Sequence, residues 1–449
     1  KKALKINKYY SPANNGIGEA YLNMRMYLNG LKHFRLALKN SPNLQNSISN
    51  YLLTYNYLGN FDKKKKFEET VKYSNYEKTN NIKVFKNEKI KNKKLKVGFI
   101  SGDFFHHPVS YFLINFIENI NSNRFKTIAY NNGAKDDSFT KRLKKSFSDW
   151  CNIYNQNDES IINRIIDDKV DILFDLSGHT GRNRLKVFKF KAAPIQISWL
   201  GYSGTTGIRE IDYILCDKIS IPKDEEKWFV EKPLRMSKSY YNFSKPQEND
   251  ILIEDKKCSN NIVFGCFNNP KKINNNVISL WCDILKNIPS SKLILKYKYY
   301  KDINIKENII KIFLKYNINK NRISFLSASQ REDYLKDFNK IDISLDPFPY
   351  PGGTTTCESL YMGVPVITLK GDNFLSRNSE NILINSNFKK FIADSKKEYK
   401  DIALEMSQNI SKLNKQEIRN QFLESSIMDG KNFTRELELN LMKIWNNYC

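Results

Sequence analysis

Short apolar runs alternate with helical patterns along most of the chain, and this alternation constrains the fold more than any other feature. The first block of strand-like runs comprises Lys96–Ser101, Lys126–Tyr130, Val170–Leu176, Ile195–Leu200 and Tyr213–Cys216. After a polar break at residues 244–261, a second block comprises Ile262–Phe267, Lys292–Lys296, Ile323–Leu326, Ile341–Leu345 and Pro365–Leu369. Strands separated by helices form parallel sheets that are covered on both faces. We therefore predict an α/β fold of two doubly wound units, with ligands at the carboxyl ends of the strands and in a cleft between the units.

Residues 15–75 repeat with a period of 34 residues. The spacings of one tetratricopeptide repeat, a helix–turn–helix unit, are occupied by Gly18, Tyr21, Tyr27, Gly30, Phe34, Ala37 and Pro42. Tyr55, Gly59 and Phe61 continue the period, whereas Lys64 and Phe67 depart from it, as expected of a terminal repeat. We predict a repeat segment at 1–75, a lysine-rich linker at 76–95, and Rossmann-like halves at 96–250 and 251–449, the second ending in closing helices.

The 449-residue chain has a formal net charge of +25, which raises the question of nucleic-acid binding. Residues 1–96 hold 21 Lys and Arg against 6 Asp and Glu, so most of the excess lies outside the α/β blocks. These lysines are interspersed with asparagine, which favours a solvated surface over a nucleic-acid groove. No apolar run reaches the roughly 18 residues that a membrane helix needs. The seven scattered cysteines form no Cys-x-x-Cys pair, and no signal-peptide pattern opens the chain, which favours a reducing, cytoplasmic location.

The segment from Ile341 to Glu358 carries the clearest chemical pattern. A buried strand leads into a Pro/Gly loop, and Thr354, Thr355 and Thr356 follow the double glycine that ends at Gly353. Glycines allow backbone N–H groups to approach an anion, and a helix N-terminus adds partial positive charge. A simple threonine N-cap is the alternative. Three threonines exceed what a cap requires, so we predict a diphosphate site.

Two further segments follow strands. Lys272 lies in the loop after the first strand of the second block, where it could neutralise phosphate, although a lone lysine in so basic a chain is usually a surface residue. Three of the four histidines, His106, His107 and His179, follow strands of the first block. A single loop histidine is usually structural, but this clustering favours a functional role.

Together these segments resemble the protein O-glycosyltransferases that include O-GlcNAc transferase and SPINDLY. The resemblance covers essentially the whole chain. Its carriers are Asp103 to Ser110, Leu176 to Thr180, Ala193 to Gln196, Trp199 to Gly207, Phe267 to Ile273 and Gly353 to Pro365. It implies tetratricopeptide repeats fused to a GT-B pair of Rossmann-like domains, a nucleotide-diphosphate sugar as donor, and a Ser or Thr hydroxyl of a protein as acceptor.

The resemblance also implies roles for individual residues. Lys272, Thr354 and Thr355 match the residues that hold the donor diphosphate, and Glu358 matches an acidic residue beside the ribose. His107 matches a histidine considered as a base or as a group that orients the acceptor. The remaining donor-site positions that it implies are Asn268, Tyr334, Gly353, Thr356, His179 and Tyr202.

The expected reaction is metal-independent and inverting. No Asp-x-Asp pair occurs in the sequence, and Lys272, the threonines and a helix N-terminus could neutralise the leaving diphosphate instead. Transfer of GlcNAc from UDP-GlcNAc is the first hypothesis. Tyr334 and Gly353 stand where relatives commonly carry histidine, and the run from Phe348 to Pro365 is closer to SPINDLY, so transfer of fucose from GDP-fucose is the second.

Three expectations concern partners and cofactors. An inactive tetratricopeptide adaptor is the remaining functional alternative, which the presence of Lys272, Thr354, Thr355 and His107 disfavours. The expected partners are acceptor proteins bound through the repeats and the cleft, together with the nucleotide sugar. Neither a cofactor, a membrane nor a nucleic acid is expected, and homo-oligomerisation is left open.

Overall fold

The computed structural model describes residues 2–58, 62–76, 85–247, 251–254 and 261–449. The repeat positions Gly59 and Phe61, and residues 77–84 of the predicted linker, lie outside the described residues. The helices before the first strand are α1 (Lys2–Ile6), α2 (Ser11–Asn23), α3 (Tyr27–Asn40), α4 (Gln45–Tyr55) and α5 (Lys63–Ser74).

The helical pairs explain the repeat pattern. α2 and α3 approach so closely that a Cβ on Gly18 would lie 2.5 Å from the ring of Phe34. Phe34 and Ala37 are fully buried, and the core of the segment continues into α4 through Tyr51 and Leu52. The small and aromatic residues of the pattern are therefore those that allow the helices to pack, and the predicted helical repeat segment is confirmed.

The next elements alternate strand and helix. They are β1 (Leu95–Ser101), α6 (Pro108–Asn119), β2 (Phe125–Asn131), α7 (Ser138–Ser146), β3 (Asp149–Asn152), α8 (Asp158–Asp167), β4 (Ile172–Asp175), α9 (Leu185–Lys189), β5 (Ile195–Ser198), β6 (Tyr213–Asp217) and β7 (Lys232–Met236). In the described residues these strands form one parallel sheet of order β3-β2-β1-β4-β5-β6-β7. The chain order reverses between β1 and β4, so the loops that follow these two strands flank a topological switch point, where ligands of such folds bind.

The second block repeats this arrangement. It contains β8 (Val263–Cys266), α10 (Asn275–Asn287), β9 (Lys292–Lys296), α11 (Ile303–Lys315), β10 (Ile323–Leu326), α12 (Arg331–Lys336), β11 (Ile343–Leu345), α13 (Thr354–Tyr361), β12 (Val366–Leu369), α14 (Asn378–Asn385), β13 (Ile392–Ala393), α15 (Lys396–Gln408) and α16 (Lys415–Leu423), and α17 (Gly430–Tyr448) ends the chain. Its parallel sheet has the order β10-β9-β8-β11-β12-β13 within the described residues. The switch point lies between β8 and β11, and the predicted pair of doubly wound α/β units is confirmed.

The chain divides into two compact units, and the last helix belongs to the first of them. Among the described residues, the first unit comprises those up to Leu22, Met26–Ser244 and Asp429–Cys449, and the second Asn23–Arg25 and Lys245–Met428. Sequence analysis placed all of 251–449 in the second half, and for α17 this differs from the structure. The ring of Phe433 in α17 stacks on Trp199 with centroids 5.9 Å apart, and the carboxylate of Glu438 accepts from the backbone N–H of Asn121 at 2.6 Å. The apolar face of α17 is thus buried in the first unit.

No helix among the described residues is long and apolar enough to cross a membrane.

Candidate active site

A buried carboxylate organises the loop after β11 in the second unit. Asp346, which follows β11 directly, accepts hydrogen bonds from the backbone N–H of Gly352 at 2.7 Å and from the hydroxyl of Thr368 at 2.8 Å. Burial raises the pKa of Asp346, and hydrogen bonds from Ser379 and Thr368 oppose that rise. The loop closes so tightly that a Cβ on Gly352 would lie 2.4 Å from the Thr356 hydroxyl. The glycine is therefore needed to bring the loop against the start of α13.

Lys272 lies beside this loop in a cradle of oxygens and one aromatic face. Its ammonium donates to the carbonyl oxygen of Pro351 at 2.7 Å and to Oδ1 of Asn268 at 3.2 Å. It also lies 4.2 Å from the ring centroid of Tyr350, within the range of a cation–π interaction. Burial lowers the pKa of Lys272 to about 8, while the carboxylate of Asp346 acts to raise it. The lysine is thus held in place, and its charge is available near neutral pH.

The three threonines at the start of α13 have different surroundings. The Thr355 hydroxyl donates to Oδ1 of Asn268 at 3.0 Å, which links it to Lys272. The Thr354 hydroxyl is partly exposed and makes no hydrogen bond to any described residue. Thr356 is 1% exposed and its hydroxyl is 2.8 Å from that of Ser379, so the prediction that it contacts a ligand is not supported. Gly353 is the residue before the helix and provides no side-chain cap, which leaves the first N–H groups of α13 available to an anion.

Glu358, on α13 like the threonines, contacts two polar side chains of α12. The Tyr334 hydroxyl donates to its Oε2 at 2.8 Å, and Arg331 forms an ion pair with its Oε1. The guanidinium of Arg331 also lies 5.5 Å from the ring centroid of Tyr334. Two residues that were predicted separately, Tyr334 and Glu358, are therefore in direct contact, and Arg331 orients both.

In the first unit, His107 and Arg182 both lie beside Asp103, in the loop after β1. His107 precedes α6, and its Nδ1 lies 3.4 Å from the backbone N–H of Val109 and 3.7 Å from a carboxylate oxygen of Asp103. Arg182, in the loop region that follows β4, donates to the other oxygen of Asp103 at 3.0 Å. The side chain of His107 is 34% exposed, whereas that of Asp103 is 7% exposed. This geometry leaves the imidazole accessible and places a carboxylate behind it.

The structure does not support a ligand role for His179. It is 1% exposed, and its Nε2 donates to the carbonyl oxygen of Thr206 at 2.8 Å. Its Nδ1 is 3.5 Å from the hydroxyl of Ser49 on α4, so this histidine connects the repeat segment to the α/β part of the first unit. Burial lowers the pKa of His179 to about 4, although the hydrogen bond to Thr206 acts to raise it. Tyr202 packs edge-on against the same ring with centroids 5.2 Å apart and is also buried.

Sequence reasoning missed several residues that hold the predicted ones in place. In the second unit these are Asp346, Tyr350 and Arg331, and in the first unit Arg182. A signal exists for Asp346, since an acidic residue that ends a buried strand before a glycine loop needs N–H donors. The contacts of Tyr350, Arg331 and Arg182 join distant segments, so nothing in their local sequence indicates them.

No group of three or more His, Cys, Asp or Glu side chains within the described ranges is arranged to hold a metal ion.

Two Rossmann-like units preceded by helical repeats define a GT-B architecture. The sequence pattern of glycosyl transferase family 41 matches residues 70–252 and 254–437, and the chain therefore belongs to this family.

Named relatives agree with this assignment. Rice (Oryza sativa subsp. japonica) probable UDP-N-acetylglucosamine–peptide N-acetylglucosaminyltransferase SPINDLY is 31% identical over 93% of this chain and 46% of its own length. The Arabidopsis thaliana protein SEC, whose name gives the same probable activity, is 26% identical over 80% of this chain and 38% of its own length. The chain thus spans about half the length, or less, of the curated relatives it matches. A mutant of Thermobaculum terrenum O-GlcNAc transferase has a similar structure, with a TM-score of 0.92, 27% identity, and coverage of 100% of this chain and 86% of that one.

Proposed function

We propose that this chain transfers a sugar from a nucleotide-diphosphate donor to Ser or Thr hydroxyls of proteins. The observation that carries the proposal is the cradle in which Lys272, Asn268 and Thr355 meet at the N-terminus of α13. Membership of family 41 and the names of the relatives support the same reaction class. Acceptor proteins are proposed to bind in part through the repeat segment.

In the proposed reaction the acceptor oxygen bonds to the anomeric carbon as the bond from that carbon to the diphosphate breaks, with inversion. Negative charge then grows on the leaving diphosphate. The Lys272 ammonium, the Thr354 hydroxyl and the first N–H groups of α13 are proposed to stabilise that charge. Thr355 is proposed to join them by exchanging its hydrogen bond to Asn268 for one to the diphosphate. Because these groups supply positive charge and donors themselves, we propose that the transfer needs no metal.

His107 is proposed to act on the acceptor. We propose that the accessible imidazole takes the proton of the acceptor hydroxyl and that the carboxylate of Asp103, 3.7 Å from Nδ1, stabilises the imidazolium that forms. The exposure of the imidazole is consistent with this role, since a general base must reach the substrate.

The proposed donor is UDP-GlcNAc, which appears in the names of the relatives. GDP-fucose is the second candidate, because the run from Phe348 to Pro365 resembles SPINDLY more closely than animal O-GlcNAc transferase. Thermal unfolding in the presence of UDP, GDP, UDP-GlcNAc or GDP-fucose separates the two, since a ligand of the native state raises the unfolding temperature.

The decisive experiment measures donor turnover by the purified protein in EDTA. We expect activity to persist in EDTA and Lys272→Met to lower kcat by about 100- to 1000-fold, the effect of removing one preorganised donor to a developing charge. Lys271→Met, which removes the neighbouring lysine, is the matched control and should be nearly as active as the wild type. Loss of all turnover in EDTA, or full activity of Lys272→Met, would refute the proposed mechanism.

A further inference from the structure

The repeat segment contains an open groove of about 550 Å³ that α3 and α5 border. Leu28 and Leu36, on the α3 side, are 72% and 36% exposed. Leu31 and Tyr55 are buried in the core beneath the groove and also line it. The groove therefore presents apolar surface to solvent.

Cationic side chains surround this apolar surface. Lys32, Arg35 and Lys39 are spaced three and four residues apart on α3, so they share one face over about 10 Å of helix. Lys65 lines the groove from α5. Within the described part of the chain, Lys32, Lys39 and Lys65 form no ion pair.

The remaining charged groups do not cancel this positive charge. The guanidinium of Arg35 donates to the Tyr51 hydroxyl at 2.7 Å and pairs with Glu69 at 3.3 Å, which fixes its position. Asp62 is the acidic residue that lines the groove, and its carboxylate caps α5 by accepting from the backbone N–H of Lys65. The lysines of the groove and the fixed Arg35 therefore lie beside exposed leucines. Such a surface is complementary to a segment that is both acidic and apolar.

We propose that this groove binds an acidic segment of a partner protein that also carries leucine-like side chains. A nucleic acid fits less well, because phosphates would leave Leu28 and Leu36 uncovered and because Tyr55, the aromatic residue that lines the groove, is 6% exposed and cannot stack on a base. The proposal deepens the proposed function, in which acceptor proteins bind in part through the repeat segment. Peptide binding is measured without sugar transfer, so failure of one can be distinguished from failure of the other.

The test uses the full chain and fluorescence anisotropy. The probe is a labelled peptide of about 18 residues, with Glu and Leu at helical spacing to match the row on α3. One comparison peptide replaces Glu by Gln, a second replaces Leu by Ser, and a single-stranded oligonucleotide of equal charge is the third probe. The groove variant is Lys32→Glu with Lys39→Glu. The matched control is Lys5→Glu with Lys8→Glu, which makes the same charge change on exposed lysines outside the groove.

We expect saturable binding of the Glu/Leu peptide that the groove variant weakens by about tenfold or more and the control variant by less than about twofold. Both comparison peptides should bind more weakly, because each lacks one half of the complementarity. The unfolding temperature without ligand should be nearly the same in both variants and the wild type, which verifies folding. Equal loss in the two variants, tighter binding of the oligonucleotide, or no saturable peptide binding would overturn the proposal.

Discussion

The two switch-point loops are built on the same strand order but differ in how their polar groups are held. In the second unit, Asp346 is 2% exposed, and Lys272 is fixed by two oxygens and an aromatic face. In the first unit, the side chains of His107 and Arg182 are 34% and 41% exposed, and Nδ1 of His107 lies 3.7 Å from the carboxylate of Asp103. A fixed, half-buried lysine suits charge stabilisation, which gains from groups that need not reorganise. An accessible imidazole suits proton exchange, which requires contact with the substrate.

The largest expected effect is that of replacing His107, and it separates proton transfer from charge stabilisation. His107→Phe should lower transfer to a protein acceptor by about 100-fold or more, the typical contribution of a general base, yet leave nucleotide binding intact. Lys272→Met should weaken both sugar transfer and nucleotide binding. The measurements are kcat for transfer and the thermal shift with nucleotide. If His107→Phe abolished nucleotide stabilisation as well, the division of roles between the two loops would be wrong.

The pH dependence of nucleotide binding sharpens the account of the second loop. The pKa of Lys272 is about 8, so the ammonium is mostly protonated at pH 7 and mostly neutral at pH 9. Binding of a diphosphate should therefore weaken as pH rises through 8, by about tenfold between pH 7 and 9. Isothermal titration calorimetry in two buffers should also detect proton uptake on binding near pH 8. Lys272→Arg is the control, because its charge does not titrate in this range, and equal pH dependence in that variant would assign the effect elsewhere.

A smaller effect is expected from the aromatic face beside Lys272. Tyr350→Leu removes the ring 4.2 Å from the ammonium and should lower donor kcat/KM by about fivefold, the scale of a partly desolvated cation–π contact of about 1 kcal/mol. Tyr350→Phe retains the ring and should retain most of the activity. The leucine variant should also move the alkaline limb of the pH profile to lower pH, since the ammonium loses a stabilising partner. Similar losses in both variants would show that the hydroxyl, rather than the ring, matters.

Strand burial explains which parts of the fold could be predicted from sequence. The central strands of both sheets are apolar on both faces and were predicted within a few residues, as Ile343–Leu345 illustrates. The strands that were missed, Asp149–Asn152, Lys232–Met236 and Ile392–Ala393, lie at sheet edges, where partial exposure or shortness removes the apolar run. Likewise, the sequence predicted that α17 is a helix but not which unit it belongs to. The unit is decided by the surface that the apolar face of α17 covers.

The candidate site shows the same limit. The family resemblance, added to the loop positions of Lys272 and Thr355, indicated these two residues and Asn268, which the structure brings together. Loop position alone was not sufficient. It could not indicate that Thr356 is turned into the core, because successive residues of a helix are rotated by about 100° and so have different surroundings. It also could not find Tyr350, whose contact with Lys272 spans 78 positions of sequence.

The first unit also allows a comparison of two histidines, the buried His179 and the accessible His107. For His179 the expected effect is on the stability of the fold alone. The pKa of His179 is about 4 in the folded protein against 6.5 for an ordinary histidine, because burial disfavours the charged ring. Below pH 6.5 the unfolded chain binds a proton that the folded chain does not, so stability is complete above pH 6.5 and falls as the pH drops toward 4. Between pH 7 and 5 this single group should cost about 2 kcal/mol, which for a chain of 449 residues lowers the unfolding temperature by about 2 °C. His179→Gln, which can still donate to Thr206, should lose part of this acid sensitivity, whereas His107→Gln should keep it because His107 is accessible. The wild type and His179→Gln are compared by their unfolding temperatures as a function of pH. If the two profiles were identical, protonation of His179 would not be the cause of the acid sensitivity.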